Sequence, residues 1–258
     1  MSVRLELGEV SQLWLARPDK FNAMNEDMAD ALCAAVTQVQ EHDQTRVLVL
    51  RGEGRAFCAG GDFDMLGLNA SYPAELNRRG MESFYRRFLS VLSLSVPTVA
   101  VLHGATIGAG LCLAMACDIR LCAAEAKLGA NFVRVGLHPG MGCSLLLPHL
   151  VGRTRASELL LTGRLLLGDE AERIGLCTRS VPRDQLEQAV QEQLAELLKA
   201  APIAARQLKE TLRGPVLRDL DQALAREAAC QAVDFTTSDL REAVRAFGAG
   251  EQPVFRGE

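Results

Sequence analysis

Apolar residues in the first half of the chain form short runs separated by polar and glycine-rich turns. Residues 3–7 and 11–16 predict short strands, and the apolar run within 46–51 predicts a strand buried on both faces. A helix is predicted to begin near Asn25, a residue suited to capping a helix N-terminus. Its apolar stripe has helical spacing and consists of Met28, Leu32, Val36 and Val39.

The middle of the chain continues this alternation. Residues 74–94 predict a long amphipathic helix, and residues 98–102 predict another buried strand. The next helix is expected to begin within residues 108–110 and to end before Asp118. Strand, helix and loop therefore succeed one another, as in an α/β core.

The last part of the chain is mainly helical. After short strands at residues 119–123 and 127–129, the pattern from about Ser144 onward predicts helices, with one strand within 176–181. Three prolines are each expected near a helix start: Pro182, Pro202 and Pro215. The fold class is α/β with a C-terminal helical region.

The composition is typical of an enzyme acting on a small metabolite. Of the 258 residues, 48% are hydrophobic and 23% charged, and the net charge is -4, which argues against disorder and against nucleic-acid binding. The first ten residues lack the pattern of a secretory signal, so a cytoplasmic location is expected. Residues 88–117 carry no charge, but Pro97 and several glycines divide them into buried elements, so no membrane association is expected.

The eight cysteines are expected to be reduced core residues. No C-x-x-C pair occurs, and no cysteine has a histidine at a zinc-ligand spacing. We therefore predict no metal site.

Two turns poor in side chains follow predicted buried strands, at residues 55–62 and 103–110. Glycine and alanine let a ligand approach the main chain, and a helix N-terminus offers unpaired N–H groups. Together the turns predict an oxyanion site. The alternative is that small residues there merely permit tight turns and close packing. A phosphate-binding loop and a serine-hydrolase elbow are both disfavoured because neither motif is present.

Five segments in order resemble the enoyl-CoA hydratase/isomerase (crotonase) family, and together they cover nearly the whole chain. They are residues 17–24, 57–62, 103–118, 136–142 and 161–163. The resemblance implies a spiral of β-β-α turns over residues 1–195. It also implies a helical region over residues 196–258 that serves oligomerisation and acts as a lid.

The family resemblance also implies the ligand and its site. The substrate is an acyl-coenzyme A thioester, without a further cofactor, and the assembly is a homo-trimer or a hexamer. The thioester oxygen is expected to bind the N–H groups of Gly61 and Ala109. The implied substrate-binding residues are Lys20, Phe21, Ala23, Met24, Ala59, Gly61, Asp62, Phe63, Ile107, Ala109, Gly110, Cys112 and Phe132.

The sequence departs from the family at its two catalytic glutamates, which would fall at Cys112 and Phe132. Neither residue is a carboxylate, and a buried thiol is a poor general base. Hydration by the two-glutamate mechanism is therefore not expected. Three possibilities follow: a related reaction that uses another residue, such as isomerisation, decarboxylation or thioester hydrolysis; binding without turnover, as a non-catalytic or scaffolding member; or a shifted alignment within residues 127–136.

Two side chains are candidates for replacing the glutamates. His138 carries an imidazole, a side chain suited to general acid–base catalysis, and lies in a glycine-rich turn, but it could instead bond to the backbone beside Pro139. Asp62 follows the first predicted oxyanion donor, but it could instead cap the next helix. Asp118, His103, Cys58 and Cys112 are expected to have structural roles.

Overall fold

The computed structural model describes residues 2–258, and their strands follow the predicted order closely. In chain order they are β1 (Val3–Glu6), β2 (Val10–Leu15), β3 (Val47–Gly52), β4 (Thr98–Leu102), β5 (Ala105–Ile107), β6 (Ile119–Ala123), β7 (Lys127–Gly129), β8 (Leu166–Leu167) and β9 (Arg179–Val181).

The helices fill the intervals between these strands and form the C-terminal part. They are α1 (Glu26–Glu41), α2 (Phe63–Asn69), α3 (Ala74–Phe88), α4 (Ala109–Met115), α5 (Cys143–Val151), α6 (Arg153–Thr162), α7 (Gly168–Arg173), α8 (Leu186–Lys199), α9 (Pro202–Asp234) and α10 (Ser238–Gly248).

Two sheets organise the core. The larger has the strand order β1-β2-β3-β4-β6-β9; β1 pairs with β2 antiparallel, and the other neighbours are parallel. All five residues of β4 are buried, as expected for a parallel strand covered on both faces. The smaller sheet has the order β5-β7-β8. Only His103 and Gly104 separate β4 from β5, so the chain passes from one sheet to the other at these two residues.

Helix α1 confirms the prediction made from its apolar stripe. Asn25 caps it by accepting a hydrogen bond from the Met28 N–H at 3.1 Å. Every stripe residue is buried: Met28, Leu32, Val36 and Val39.

The helix predicted over residues 74–94 is shorter than expected. α3 ends at Phe88, and a 3₁₀ helix continues from Leu89 to Ser93. The hydroxyls of Ser90 and Ser93 donate to the carbonyls three residues earlier, which competes with the α-helical pattern. The strands β5 and β8 and the helix α2 were not predicted, because elements this short show no clear periodicity.

The expectation that Pro215 stands near a helix start is wrong. It lies inside α9, which runs without a break for 33 residues. Its ring is exposed, while Val216 and Lys209 anchor the helix on either side of it. The Lys209 ammonium group donates to the Val96 carbonyl and pairs with Asp118, each at 2.7 Å, so tertiary contacts outweigh the local cost of the proline.

The boundary expected between residues 195 and 196 falls within α8. The uncharged stretch 88–117 lies in the interior, where it forms β4, β5 and α4. No helix within residues 2–258 combines the length and the apolar character that crossing a bilayer requires.

Candidate active site

The two glycine-rich turns lie side by side. The Phe57 N–H donates to the His103 carbonyl at 2.8 Å, and the Cys58 N–H donates to the Ala105 carbonyl at 3.0 Å. The Ile107 N–H donates back to the Cys58 carbonyl at 3.0 Å. Segments almost 50 positions apart in the sequence are therefore paired like neighbouring strands.

Glycine permits the close approach of these turns at two positions. A Cβ atom on Gly110 would lie 2.5 Å from the Cys58 carbonyl oxygen. Gly60 has a φ of 103°, and a Cβ atom there would lie 3.0 Å from the Ile107 carbonyl oxygen. Close packing is therefore one reason for glycine at these positions. This packing role is compatible with ligand binding by the neighbouring backbone amides.

Gly61 and Ala109 line the same cavity, whose volume is about 110 Å³. Within residues 2–258, neither backbone N–H group has a hydrogen-bond acceptor. Ala109 is the first residue of α4, and the first N–H groups of a helix have no acceptor inside it. Both amides are therefore free to bind a ligand that enters the cavity.

The wall of this cavity is mostly apolar. It is formed by the two turns, α2, α3, one residue of α9 and part of the segment 131–141. Its polar side chains are Tyr85, Asn131 and Gln231, and no lining side chain carries a charge. The wall thus holds neither a carboxylate nor an imidazole for general acid–base catalysis.

Tyr85 and Gln231 form a hydrogen-bonded pair at this wall. The Tyr85 hydroxyl donates to Gln231 Oε1 at 2.5 Å, and Gln231 Nε2 donates to the His138 carbonyl at 2.7 Å. Burial raises the pKa of Tyr85 well above 10, and the Glu227 carboxylate adds to the rise. The phenol is therefore neutral at physiological pH.

A polar stripe on α9 holds the segment 138–144 in place. Glu227 accepts hydrogen bonds from the Gly142 N–H at 2.7 Å and from the Ser144 N–H and hydroxyl at 2.8 and 2.6 Å. Asp234 accepts from the His138 N–H at 2.6 Å. Burial raises the pKa of both carboxyls, more than these donors lower it. The stripe fixes the backbone of one cavity wall.

The two positions at which the family's glutamates would fall differ in their surroundings. Phe132 lines the cavity. Cys112 is fully buried behind the wall, and its thiol donates to the Gly140 carbonyl at 3.4 Å. Burial and the neighbouring Cys143 thiol raise its pKa well above 9. Neither residue supplies a base at the wall.

The structure does not bring His138 or Asp62 to the cavity wall. Nδ1 of His138 lies 2.7 Å from the Pro139 carbonyl oxygen, so the ring bonds to the backbone. Asp62 caps α2 by accepting from the Asp64 N–H at 3.1 Å, and it pairs with the Arg17 guanidinium at 3.0 Å. Both carry out the structural roles named as alternatives.

Of the remaining residues expected to bind substrate, some line the cavity and others lie outside it. Ala59, Phe63 and Ile107 line the cavity with Gly61 and Ala109, whereas Gly110 packs against Cys58. Lys20 and Phe21 are exposed, and Ala23 is half-buried. Met24 is buried and bonded through its backbone to Gly60 and Asp62.

Sequence reasoning missed the polar side chains at the wall. Tyr85 lies between Phe84 and Phe88 on the apolar face of α3, so it resembles an ordinary core residue. Gln231 could have been suspected, because Glu227, Gln231 and Asp234 recur at helical spacing on one face of α9. Within residues 2–258, no group of three or more metal-ligating side chains comes together.

Comparison with known proteins identifies relatives along almost the whole chain. The family model described as enoyl-CoA hydratase/isomerase matches residues 7–258. A crotonyl-CoA hydratase of Syntrophomonas wolfei is 33% identical over 241 residues, covering 93% of this chain and 91% of that protein. A 1,2-epoxyphenylacetyl-CoA isomerase of Escherichia coli is 32% identical over 250 residues, covering 96% of this chain and 95% of that protein.

Solved structures show the same fold. The crystal structure of an enoyl-CoA hydratase from Mycobacterium avium subsp. paratuberculosis matches with a TM-score of 0.87 at 29% identity, covering 99% of each chain. The predicted α/β spiral with a helical C-terminal region is confirmed. The chain therefore belongs to the enoyl-CoA hydratase/isomerase (crotonase) family.

Proposed function

We propose that this cavity binds the acyl part of a coenzyme A thioester, whose carbonyl oxygen accepts hydrogen bonds from the Gly61 and Ala109 N–H groups. One observation supports this most: two amides that have no acceptor among residues 2–258 line a single apolar cavity. The named relatives act on coenzyme A thioesters. The exposed Lys20 and Phe21, with Ala23 and Met24, belong to the proposed binding site for the nucleotide and pantetheine parts.

The two amides would stabilise a thioester enolate. Negative charge that develops on the oxygen is met by donors that are already oriented, and one such donor contributes about 3 kcal/mol in other enzymes. The apolar wall strengthens this interaction because it excludes water. The proposed chemistry is that of a lyase or isomerase acting next to the thioester carbonyl.

The proposed reaction is not hydration by two glutamates. Phe132 cannot transfer a proton, and the Cys112 thiol is buried with a raised pKa. Isomerisation, decarboxylation and thioester hydrolysis all pass through a polarised thioester, and each is compatible with the two donors. No carboxylate or imidazole of residues 2–258 lies at the wall, so the proton would have to come from the Tyr85 hydroxyl, from water or from a group outside the cavity wall.

The charge-free wall favours a second candidate, a family member that binds acyl-CoA without turnover. A panel of enoyl-, malonyl- and acetyl-CoA thioesters distinguishes the two. Loss or rearrangement of any thioester at a rate that depends on this protein supports the enzyme. Tight binding with no change in any ligand supports the non-catalytic role.

Calorimetric titration tests the proposed thioester site. We expect acetyl-CoA and crotonyl-CoA to bind. We expect ethyl-CoA, a thioether without the carbonyl oxygen, to bind about tenfold more weakly than acetyl-CoA. Absence of binding by every acyl-CoA would refute the proposal. Equal affinities for the thioester and the thioether would show that the two amides do not bind the carbonyl oxygen. Rapid hydration of crotonyl-CoA would show that our interpretation of Cys112 and Phe132 is wrong.

We also propose that the chain assembles as a homo-trimer or as a dimer of trimers. The C-terminal helices expose large apolar side chains, including Ile203, Leu212 and Val233, each more than 60% accessible in the single chain. Light scattering on the eluted protein should give three or six times the chain mass of 27.9 kDa. A monomer at micromolar concentration would contradict this expectation.

A further inference from the structure

The Tyr85–Gln231 pair is a polar feature in a cavity that is otherwise lined mainly by hydrocarbon. Both side chains belong to the wall, and both are almost completely buried. Their neighbour Gly140 also lines the cavity, and a Cβ atom there would lie 2.6 Å from the Tyr85 hydroxyl oxygen. The pair therefore lines the cavity proposed to bind the acyl chain, and it is not part of a sealed core.

The hydrogen bonds of the pair determine what it can offer to a ligand. Gln231 Nε2 donates to the His138 carbonyl, so Gln231 Oε1 is turned toward the Tyr85 hydroxyl. The tyrosine oxygen and Gln231 Oε1 each keep acceptor capacity, and Gln231 Nε2 keeps one hydrogen. Acceptors and a donor thus lie together in a space of low polarity.

A hydroxyl group matches this arrangement better than other substituents. It can donate to one of the free acceptors and accept from a donor, whereas a methyl or methylene group leaves these capacities unused. A carboxylate or an ammonium group would have to lose its water without meeting an opposite charge at the wall. The cavity therefore favours an uncharged, hydroxylated chain.

Proton transfer by Tyr85 is a less favourable use of the same residue. Burial and the nearby Glu227 carboxylate both oppose formation of the phenolate. A neutral phenol remains a good hydrogen-bond partner at any physiological pH. Recognition thus fits the surroundings of Tyr85 better than acid–base catalysis does.

We propose that Tyr85 and Gln231 are specificity-determining residues that select acyl-CoA thioesters carrying a hydroxyl group on a short acyl chain. The inference rests on the proposed acyl-CoA binding and deepens it, because it names the substrate class. Sites built to pair with a substrate hydroxyl discriminate strongly against analogues that lack it, since their own polar groups are then left unpaired.

Calorimetry with matched ligands tests this selectivity on the unmodified protein. The ligands are butyryl-CoA and its 2-hydroxy, 3-hydroxy and 4-hydroxy derivatives, which differ by one oxygen atom. We expect at least one hydroxylated chain to bind about tenfold more tightly than butyryl-CoA. Equal or weaker binding of all three would overturn the inference while leaving acyl-CoA binding intact. No binding by any of the four would instead refute the proposed function.

The variant Tyr85→Phe tests whether this pair causes the selectivity for hydroxylated chains. It removes one hydroxyl group, and the ratio of the affinities for the hydroxylated chain and for butyryl-CoA should fall about tenfold, to a value near one. Tyr72→Phe is a matched control, because Tyr72 is the other tyrosine of the chain and is 44% exposed outside this cavity. Retention of the full preference by Tyr85→Phe would overturn the assignment. A circular dichroism melt of both variants establishes that each is folded.

Discussion

Among individual residues, the proposed oxyanion donors are backbone amides, whose side chains contribute little to the proposed site. The proposed donors, Gly61 and Ala109, would act through their backbone amides, so this role cannot be recognised from side-chain chemistry. Their positions depend on Gly60 and Gly110, where even a methyl group would crowd a carbonyl oxygen of the facing turn. The residues that shape the site are therefore those that keep the two turns in contact.

Substitution of Ala109 by proline removes one of the two proposed donors. Proline is accepted at the first position of a helix, where the N–H group has no partner within the helix. We expect the preference for acetyl-CoA over ethyl-CoA to fall by about threefold in calorimetry, because one of the two proposed donors remains. If a reaction is found, its kcat should fall by about 10²–10³.

The control for this variant is Ala74→Pro. Ala74 is exposed and is the first residue of α3, so the same chemical change occurs at an equivalent helical position away from the cavity. It should leave both affinities unchanged. An unaltered preference in Ala109→Pro, with the protein folded, would show that the Ala109 amide does not bind the ligand.

At the scale of elements, α9 stabilises the site through its polar stripe. Glu227 accepts three hydrogen bonds. One comes from the N–H of Gly142, the N-cap residue of α5, and two come from the N–H and hydroxyl of Ser144, the second residue of that helix. This carboxylate therefore takes the place of a local N-cap, which α5 lacks. The helix thus supports the cavity wall at long range in the sequence.

The variant Glu227→Gln should lower the free energy of unfolding by about 1–3 kcal/mol, because an amide NH₂ would then face backbone donors. Burial raises the pKa of Glu227 in the folded protein. The stabilisation that this residue gives to the folded state is therefore fully present below its unfolded pKa of about 4.5, and it is lost as the pH rises through its pKa in the folded protein. The stability difference from the unmodified protein should therefore be larger at pH 4.5 than at pH 8.

Urea unfolding at fixed protein concentration measures this difference. Glu210→Gln is the control, since Glu210 is exposed on the same helix and should change stability by less than about 0.5 kcal/mol at both pH values. A stability difference for Glu227→Gln that grows with pH would contradict the assigned direction.

The long helix α9 also contains an unfavourable residue. Pro215 lies in its interior, where it leaves the Thr211 carbonyl without the usual N–H donor. Pro215→Ala should raise the free energy of unfolding by about 2 kcal/mol, after allowing for the greater freedom of the unfolded chain. Pro202→Ala at the first position of the same helix should give no such gain. Chemical denaturation compares the two, and equal effects would show that the interior position is not strained.

In the molecule as a whole, the central strands β3 and β4 of the larger sheet could be predicted because each is a short apolar run bounded by turns. The helix over residues 74–94 was predicted too long, and Pro215 was placed at a helix start, because local rules do not include the serine hydroxyls or the anchoring of Lys209. The contact between the two turns could be expected from their motifs. The Tyr85–Gln231 pair could not, since it joins α3 to α9 across 146 positions.

The most direct test of the central claim is a crystal structure with acetyl-CoA bound. We expect the thioester carbonyl oxygen to lie about 3 Å from the backbone nitrogens of both Gly61 and Ala109. A thioester oxygen bonded to neither nitrogen, with acetyl-CoA fully ordered in the cavity, would contradict the account.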